Sequence, residues 1–289
     1  MMDAKYFAPK LKPSDEPDLK VFERSTALVS ILKDSFKVQT LFAIGSSIQT
    51  LICLTLPLRW AVIPSCALIL NSVVTTILQI RNPGSYLSKK IIPGRTSALI
   101  PSPLTGRHGP QPSGEGLVVF HLGTQANHPL GIGGPGWDKM GEYFNPMIKD
   151  LREHKDEYGL ISMSEWTSSD RESHNTKLWT FYFRDLEGLH KFAHGALHRK
   201  GWDGYHKGKN WNKNIGIFHE TYVVQPGGYE TVYVNSYPVL LGRGTVKAPT
   251  DGEERYVNTL VGADVPALKT QWTRLGRDAD GKAKEVDNP

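Results

Sequence analysis

The sequence predicts an α+β protein: a ferredoxin-like β-α-β-β-α-β domain of the dimeric α+β barrel type, preceded by an α-helical transmembrane hairpin. Two observations carry this. First, 21 residues without a charge lie between Lys37 and Arg59, and another 21 between Arg59 and Arg81. Second, from residue 116 onward, short period-two apolar runs alternate with helical-period stretches in that order.

Residues 1–37 hold Pro9, Pro13 and Pro17 among charges, then an amphipathic stretch from Phe22 to Phe36. They read as a flexible tail and an interfacial helix. The runs LFAIGSSIQTLICLTLPL and WAVIPSCALILNSVVTTILQI fill residues 38–81. A helix needs roughly 20 apolar residues to cross the hydrocarbon core, and both runs are apolar all round rather than along one stripe. Ser46, Ser47, Gln49, Thr50, Asn71 and Gln79 weaken each span, so a re-entrant hairpin stays open. Arg24, Lys33 and Lys37 precede the hairpin; Arg81, Lys89, Lys90 and Arg95 follow it. The positive-inside rule then puts both termini and the following domain in the cytosol, at the endoplasmic reticulum membrane by default.

Pro83, Gly84, Pro93, Gly94, Pro101, Pro103, Pro110 and Pro112 mark residues 82–115 as a linker or extended wrapping. The domain proper spans 116–245. Strands are expected at 116–122, 158–166, 177–183 and 214–224, with a further strand at 229–235 as a candidate for crossing to a partner chain. Helices are expected at 135–154, 185–193 and 198–206, Asp185 being a natural N-cap. Residues 246–289 read as a frayed tail. A four-stranded sheet with helices on one face must cover its other face, and a second copy stacking there closes a barrel. A homodimer is therefore expected.

Composition limits function. The chain has 289 residues, 22% of them charged, and a net charge of +5. Such values exclude wholesale disorder and give no case for nucleic acid. Two cysteines exclude a disulfide scaffold and a Cys-rich zinc site. No Walker loop and no GxSxG elbow occur, and the Gly-rich run GIGGPG at 131–136 lacks the strand-to-helix context of a dinucleotide site.

Candidate site residues follow from strand periodicity. Val118, Phe120, Leu122, Ile161, Met163, Trp179, Phe181, Phe183, Ile215 and Ile217 form an apolar set for the helix side. The complementary set is His121, Ser162, Ser164, Trp166, Thr180, Tyr182, Phe218, Glu220 and Tyr222. Polar groups among aromatics suit a ligand cavity, although a wet dimer interface has the same pattern. His219 falls with the helix side, and Glu165 is sent to an exposed strand end. Five of the ten histidines lie between 190 and 219. His190, His194 and His198 recur every four residues, but the segment lacks HExxH, and Gly195 is expected to end the first helical piece. His198 with Trp202 at i+4 is expected to close the cavity mouth. His219, Glu220, His198 and Tyr222 are the candidate acid–base groups; His121, Ser164, Trp166, Tyr182, His194, Trp202 and Phe218 are the candidate substrate contacts. No metal site is expected.

The stretches FYFRDLEGLHKFAHGALHRKGW and NIGIFHETYVVQPGGYETVYVN, with the Tyr229-Glu230…Tyr233…Asn235 hairpin, resemble fungal monooxygenases of the fumagillin-pathway type. These are relatives of the antibiotic-biosynthesis monooxygenases with a dimeric α+β barrel. The resemblance covers roughly residues 115–245, plus the paired N-terminal membrane helices. It implies oxidative tailoring of a lipophilic terpenoid or polyketide in secondary metabolism, with molecular oxygen as cosubstrate and no cofactor. The wider superfamily also contains haem enzymes and non-oxidative members, so a haem-dependent or non-oxidative isomerase, cyclase or dehydratase, or a non-catalytic ligand-binding dimer module, stands beside it.

Overall fold

The structure, a computed structural model, describes residues 6–18, 36–82, 91–168, 176–208, 210–278 and 280–282. It divides into two compact units: 23–91, and 1–22 together with 92–289.

The first unit is helical. Helices α1 (Val38–Thr55), α2 (Leu58–Ala61) and α3 (Ile63–Arg81) follow one another, with Pro57 interrupting the chain after α1. Val38–Thr55 and Leu58–Arg81 have mean hydropathies of 1.4 and 2.0, are long and apolar enough to cross a membrane, and leave almost all of their surface unburied. They are therefore not core helices. The polar residues that weaken the spans in sequence are satisfied locally. Thr50, Thr55, Thr75 and Thr76 donate to carbonyls one turn back. Gln49 donates to the Ala61 carbonyl at 2.9 Å and accepts from Ser65 Oγ at 2.6 Å, tying α1 to the following helices. Apart from Phe36, the amphipathic stretch at 22–36 lies outside the described residues.

The second unit contains the expected β-α-β-β-α-β order: β2 (Leu117–Ala126), α4 (Trp137–Glu153), β3 (Leu160–Thr167), β4 (Lys177–Phe183), α5 (Leu186–Ala193) with α6 (Ala196–Lys207), and β5 (Ile215–Val224). The sheet order is β3-β4-β2-β5, all neighbours antiparallel, which is the ferredoxin-like arrangement. Asp185 caps α5 by accepting from Gly188 N at 2.8 Å. Helices and sheet enclose a core of Val118, Phe120, Leu160, Met163, Trp179, Phe181 and Phe183 against Ile148, Leu151, Leu189 and Phe192. One alternation differs from expectation. A bulge between Leu160 and Ser162 turns Leu160 toward the helices and sends Ile161 to the opposite face.

The segments flanking this domain are not loose. β1 (Ile92–Ala98) lies inside the expected linker, and Ala98, Leu99 and Ile100 are buried. Pro93 and Gly94 read as linker residues because a regular ladder excludes them; here they fall in a register shift between Ile92 and Arg95, where Gly94 takes φ +82°. β6 (Tyr233–Ser236) pairs with β1 of the same chain rather than crossing to a partner. With β9 (Leu260–Gly262) they make a second sheet, order β6-β1-β9. The expected tail supplies β9, the hairpin of β7 (Thr245–Thr250) and β8 (Glu253–Asn258), and α7 (Gln271–Arg274), whose Arg274 pairs with Glu230 at 2.5 Å. Residues 283–289 lie outside the described set. The N-terminal segment is also held: Lys10 N donates to Leu260 O at 2.9 Å, and Ser14 and Tyr256 exchange backbone hydrogen bonds at 3.0 and 2.8 Å.

These additions build a second apolar core on the far face of the four-stranded sheet. Ile92, Ala98, Ile100, Leu241, Val246 and Leu260 pack on Leu117 and Ile161, with Val119, Tyr182, Val224, Tyr229 and Tyr233 around them. One half of the face is thus covered by the chain itself. Trp166, Phe218 and Tyr222, in the other half, are exposed.

Candidate functional site

Antiparallel register lines the far face up in rows across the four strands. The central row is polar: Ser164 on β3, Thr180 on β4, His121 on β2 and Glu220 on β5 are successive cross-strand partners. The row on one side is Ser162, Tyr182, Val119 and Tyr222; on the other it is Trp166, Leu178, Gly123 and Phe218. Strands lie about 4.8 Å apart, so the polar row is roughly 14 Å long. A polar stripe with phenols on one side and an apolar, aromatic row on the other suits a lipophilic molecule carrying a few oxygens.

The row is graded from dry to wet. Ser164 and Thr180 are 5% and 4% exposed, and Ser164 Oγ has no hydrogen-bond partner. A buried hydroxyl without a partner is rare and needs a reason; a ligand oxygen or a water would supply one. Glu220, at the edge strand, is exposed. Tyr222 donates its phenol to Glu220 Oε2 at 2.6 Å, and this carboxylate raises the phenol's pKa. The His121 ring meets the Tyr222 ring edge-on with centroids 5.9 Å apart. Tyr182 has its pKa raised by burial and remains a neutral donor. Ser162, by contrast, is spent: its hydroxyl donates to Leu240 O at 2.6 Å.

Gly123 has a specific use. A Cβ placed there would overlap the Phe218 ring at Cζ, so the ring lies directly over the glycine. The ring thus stands in the row next to His121 and Glu220.

The remaining candidates lie elsewhere. His219 shares the helix-face row of Glu165, Trp179 and Leu122, and its ring sits 5.7 Å from Phe120. His198 packs on Phe192 at 5.8 Å; burial lowers its pKa, and the neighbouring His194 and His219 lower it further. His198, His194 and His219 thus gather on the side opposite Glu220 and Tyr222, and cannot act with them on one bound molecule. Trp202 contacts His206 at 4.3 Å and does not close the mouth of the polar face. His194 is the C-cap of α5 and Gly195 the N-cap of α6, so His190, His194 and His198 do not form one helical ladder. Among the described residues no three His, Cys, Asp or Glu side chains converge as metal ligands. Glu165 is not at an exposed end: its side chain is 11% exposed and lies 3.6 Å from Lys177. Burial is the leading influence on its carboxyl and raises the pKa against that ammonium. The run GIGGPG makes a short turn at Gly131–Gly133 leading into α4.

Sequence reasoning missed three features. Gly123 is legible only as a strand glycine, a weak mark of close approach. Tyr233 enters the second core with its hydroxyl accepting from Gly242 N at 3.0 Å, and burial raises its pKa. Lys155, one lysine among many in the sequence, is buried.

Comparison with known proteins adds the family. The model of the Monooxygenase af470-like family matches residues 117–241. Monooxygenase af470 of Aspergillus fumigatus is 42% identical over 274 residues, covering 93% of this chain and 98% of that one. Solved structures that match part of the chain include SnoaB, a cofactor-independent oxygenase from Streptomyces nogalater, at 8% identity and TM-score 0.27 over 38% of this chain and 94% of that one. A dimeric ferredoxin-like protein from Jannaschia matches at 16% identity and TM-score 0.27, covering 36% and 97%. An aldoxime dehydratase matches at 12% identity and TM-score 0.34, covering 52% and 39%. These structural scores carry no functional argument. The sequence relationship does, because it runs through nearly the full length of both proteins: the chain belongs to the Monooxygenase af470-like family of monooxygenase-like oxidoreductases.

Proposed function

We propose that this protein is a membrane-anchored monooxygenase that oxidises a lipophilic terpenoid or polyketide intermediate of fungal secondary metabolism. The observation that carries the reading is the polar row Ser164–Thr180–His121–Glu220, flanked by the phenols of Tyr182 and Tyr222 on one side and the apolar Trp166, Leu178 and Phe218 on the other. Two apolar helices in a bilayer would keep the protein where a substrate that partitions into lipid is concentrated. In this reading the hairpin sits in the endoplasmic reticulum membrane and the sheet domain faces the cytosol. A second copy covers the half-face that the chain leaves open, next to the exposed edge strand β5.

The chemistry needs an acidic C–H next to a carbonyl or a phenol. Glu220, oriented by Tyr222 at 2.6 Å, takes that proton. His121, the neighbour of Glu220 across the ladder, donates to the enolate oxygen, while Ser164 Oγ at the far end of the row and the neutral Tyr182 phenol hold more distant oxygens of the substrate. The electron-rich carbanion reduces molecular oxygen to a substrate hydroperoxide, which loses water. In balance, a methylene group and dioxygen give a carbonyl group and water. Both reducing electron pairs come from the substrate, so no external reductant is required. The helix-face histidines take no step.

Turnover in air and under argon tests the reading. Extracts of a host carrying the gene, compared with one lacking it, supply the substrate, and purified protein then converts it. Product formed only with oxygen, with one oxygen atom of labelled dioxygen retained, is the expected result. Equal product under argon would instead favour an isomerase, cyclase or dehydratase using the same acid and base. A Soret band in the purified protein would replace the cofactor-free route by a haem-dependent one.

A further inference from the structure

A cleft opens at the end of the sheet where β2 and β3 begin and β4 ends, and it shares no residue with the polar row. Its cavity volume is about 70 Å³. Ile100, Pro103, Ile161 and Val246 give it apolar walls, and Lys155, Thr245 and Arg184 line it as donors.

Lys155 is 2% exposed. Its Nζ donates to Leu160 O and Thr245 O, both at 2.6 Å, and stands 5.6 Å from the centre of the Tyr256 ring. An ammonium carries three N–H groups, and two are used. Among the described residues no carboxylate reaches ion-pair distance of Nζ. Lysine is almost never buried this deeply without a counter-charge. Thr245, 4% exposed, has a buried Oγ1 with no partner and lines the same cleft. Arg184 is exposed, with only a 3.5 Å contact to Asp185. The other cation here, Lys247, is already paired with Glu254 at 2.8 Å. One ammonium with carbonyl and ring partners but no counter-ion, one orphaned hydroxyl and one accessible guanidinium around an open space define a site lacking its anion.

We propose that this cleft binds the carboxylate of a small monocarboxylic acid with a short apolar chain, its oxygens received by Lys155, Thr245 Oγ1 and Arg184. The apolar walls take the chain. Glu115 and Asp156 also line the cleft, and Asp156 accepts from Tyr256 at 2.7 Å. Two carboxylates nearby oppose a dianion and leave room for a single negative charge. Desolvation lowers the Lys155 pKa to about 8, outweighing Asp156, as befits an ammonium without a close counter-ion. This site stands independently of the oxygenase reading.

Calorimetric titration of the full-length protein in a non-ionic detergent at pH 7 tests it, with sodium butanoate, butan-1-ol and inorganic phosphate as probes. Butanoate is expected to bind and butan-1-ol, of the same length without the charge, is not. Thr245→Val and Arg184→Gln are each expected to weaken butanoate about fivefold or more, the scale of a lost hydrogen bond to a charged group, with unchanged circular dichroism. Lys155→Met is expected to abolish binding; if that variant does not fold, the other two decide. Equal heats for butanoate and butan-1-ol, tighter binding of phosphate, or butanoate affinity untouched by Thr245→Val and Arg184→Gln would overturn the proposal.

Discussion

Tyr222 donates its phenolic hydrogen to Glu220 Oε2 at 2.6 Å from two positions further along the same strand, so both side chains stand on one face of β5. Each therefore fixes the direction of the other. Glu220 in turn lies opposite His121 across the ladder, and the His121 ring meets Tyr222 edge-on. If Glu220 is the base, Glu220→Gln keeps the shape and removes the proton acceptor. Its kcat/KM is expected to fall by about 10²-fold or more, the usual scale of general-base catalysis. Tyr222→Phe leaves the carboxylate in place and is expected to cost less. Equal activity of Glu220→Gln and the wild type at matched protein level would remove Glu220 from the mechanism.

The Phe218 ring occupies the space that a side chain at Gly123 would need. Gly123→Ala is therefore expected to push the exposed Phe218 ring off the sheet at a cost of about 1 kcal/mol, the low end of the range for an overpacked site. Phe218→Ala removes the clash, so the double variant should lose less than the two single losses added together. Thermal melts of the four proteins measure the coupling; additive losses would mean that the ring moves aside freely.

Much of this architecture is legible in the sequence, for identifiable reasons. The order of strands and helices follows from periods of 2 and 3.6, which the runs around Phe120, Phe181 and Leu151 display plainly. The hairpin follows from length and charge alone. Register does not. That Ser164, Thr180, His121 and Glu220 stand side by side depends on which residue faces which across three ladders, and nothing local encodes it. Alternation misplaces Ile161 because a bulge breaks the pattern that otherwise assigns faces. Pro93 and Gly94 make β1 look like linker, since the bulge that accommodates them is a tertiary feature. The second sheet hides for the same reason: β6, β1 and β9 are short, and the pairing of β1 with β6 joins residues about 140 positions apart. Once this sheet covers half of the far face, the face is no longer the empty surface that periodicity suggests.

Lys155 gives a pH dependence whose sign can be worked out. Burial holds its folded pKa at about 8, below the ordinary lysine value of 10.5. Between these values the unfolded chain holds a proton that the folded chain has released, so stability rises with pH through that window. The gain is complete above the unfolded value and is lost as pH falls through about 8. A tenfold change in proton affinity corresponds to about 1.4 kcal/mol, so the full effect is on the order of 3 kcal/mol. Lys155→Met also orphans the Leu160 and Thr245 carbonyls and is expected to be less stable near pH 9. The diagnostic is the slope: melting temperatures from pH 8 to 10 should rise more steeply for the wild type than for the variant. Parallel slopes would mean that the ammonium is better compensated than its surroundings indicate.

Gln49 gives a test of the helical unit in its proposed solvent. Its amide donates to Ala61 O and accepts from Ser65 Oγ, linking α1 to the helices that follow. In water such a pair contributes little, because each partner finds a solvent hydrogen bond after rupture. In hydrocarbon that alternative is absent, and an interhelical hydrogen bond is worth about 0.6 kcal/mol on average, with a maximum near 1.7. Gln49→Leu raises the hydrophobicity of α1 while cutting the link. The variant is therefore expected to stay in the membrane fraction after carbonate washing, as the wild type does, yet to unfold at a lower dodecyl sulfate fraction. Ser65→Ala should show the same direction, with a non-additive double variant. Release of the wild type by carbonate would contradict membrane insertion of both helices. Retention of both proteins with identical detergent unfolding would instead leave the insertion intact and remove Gln49 as the tie between the helices.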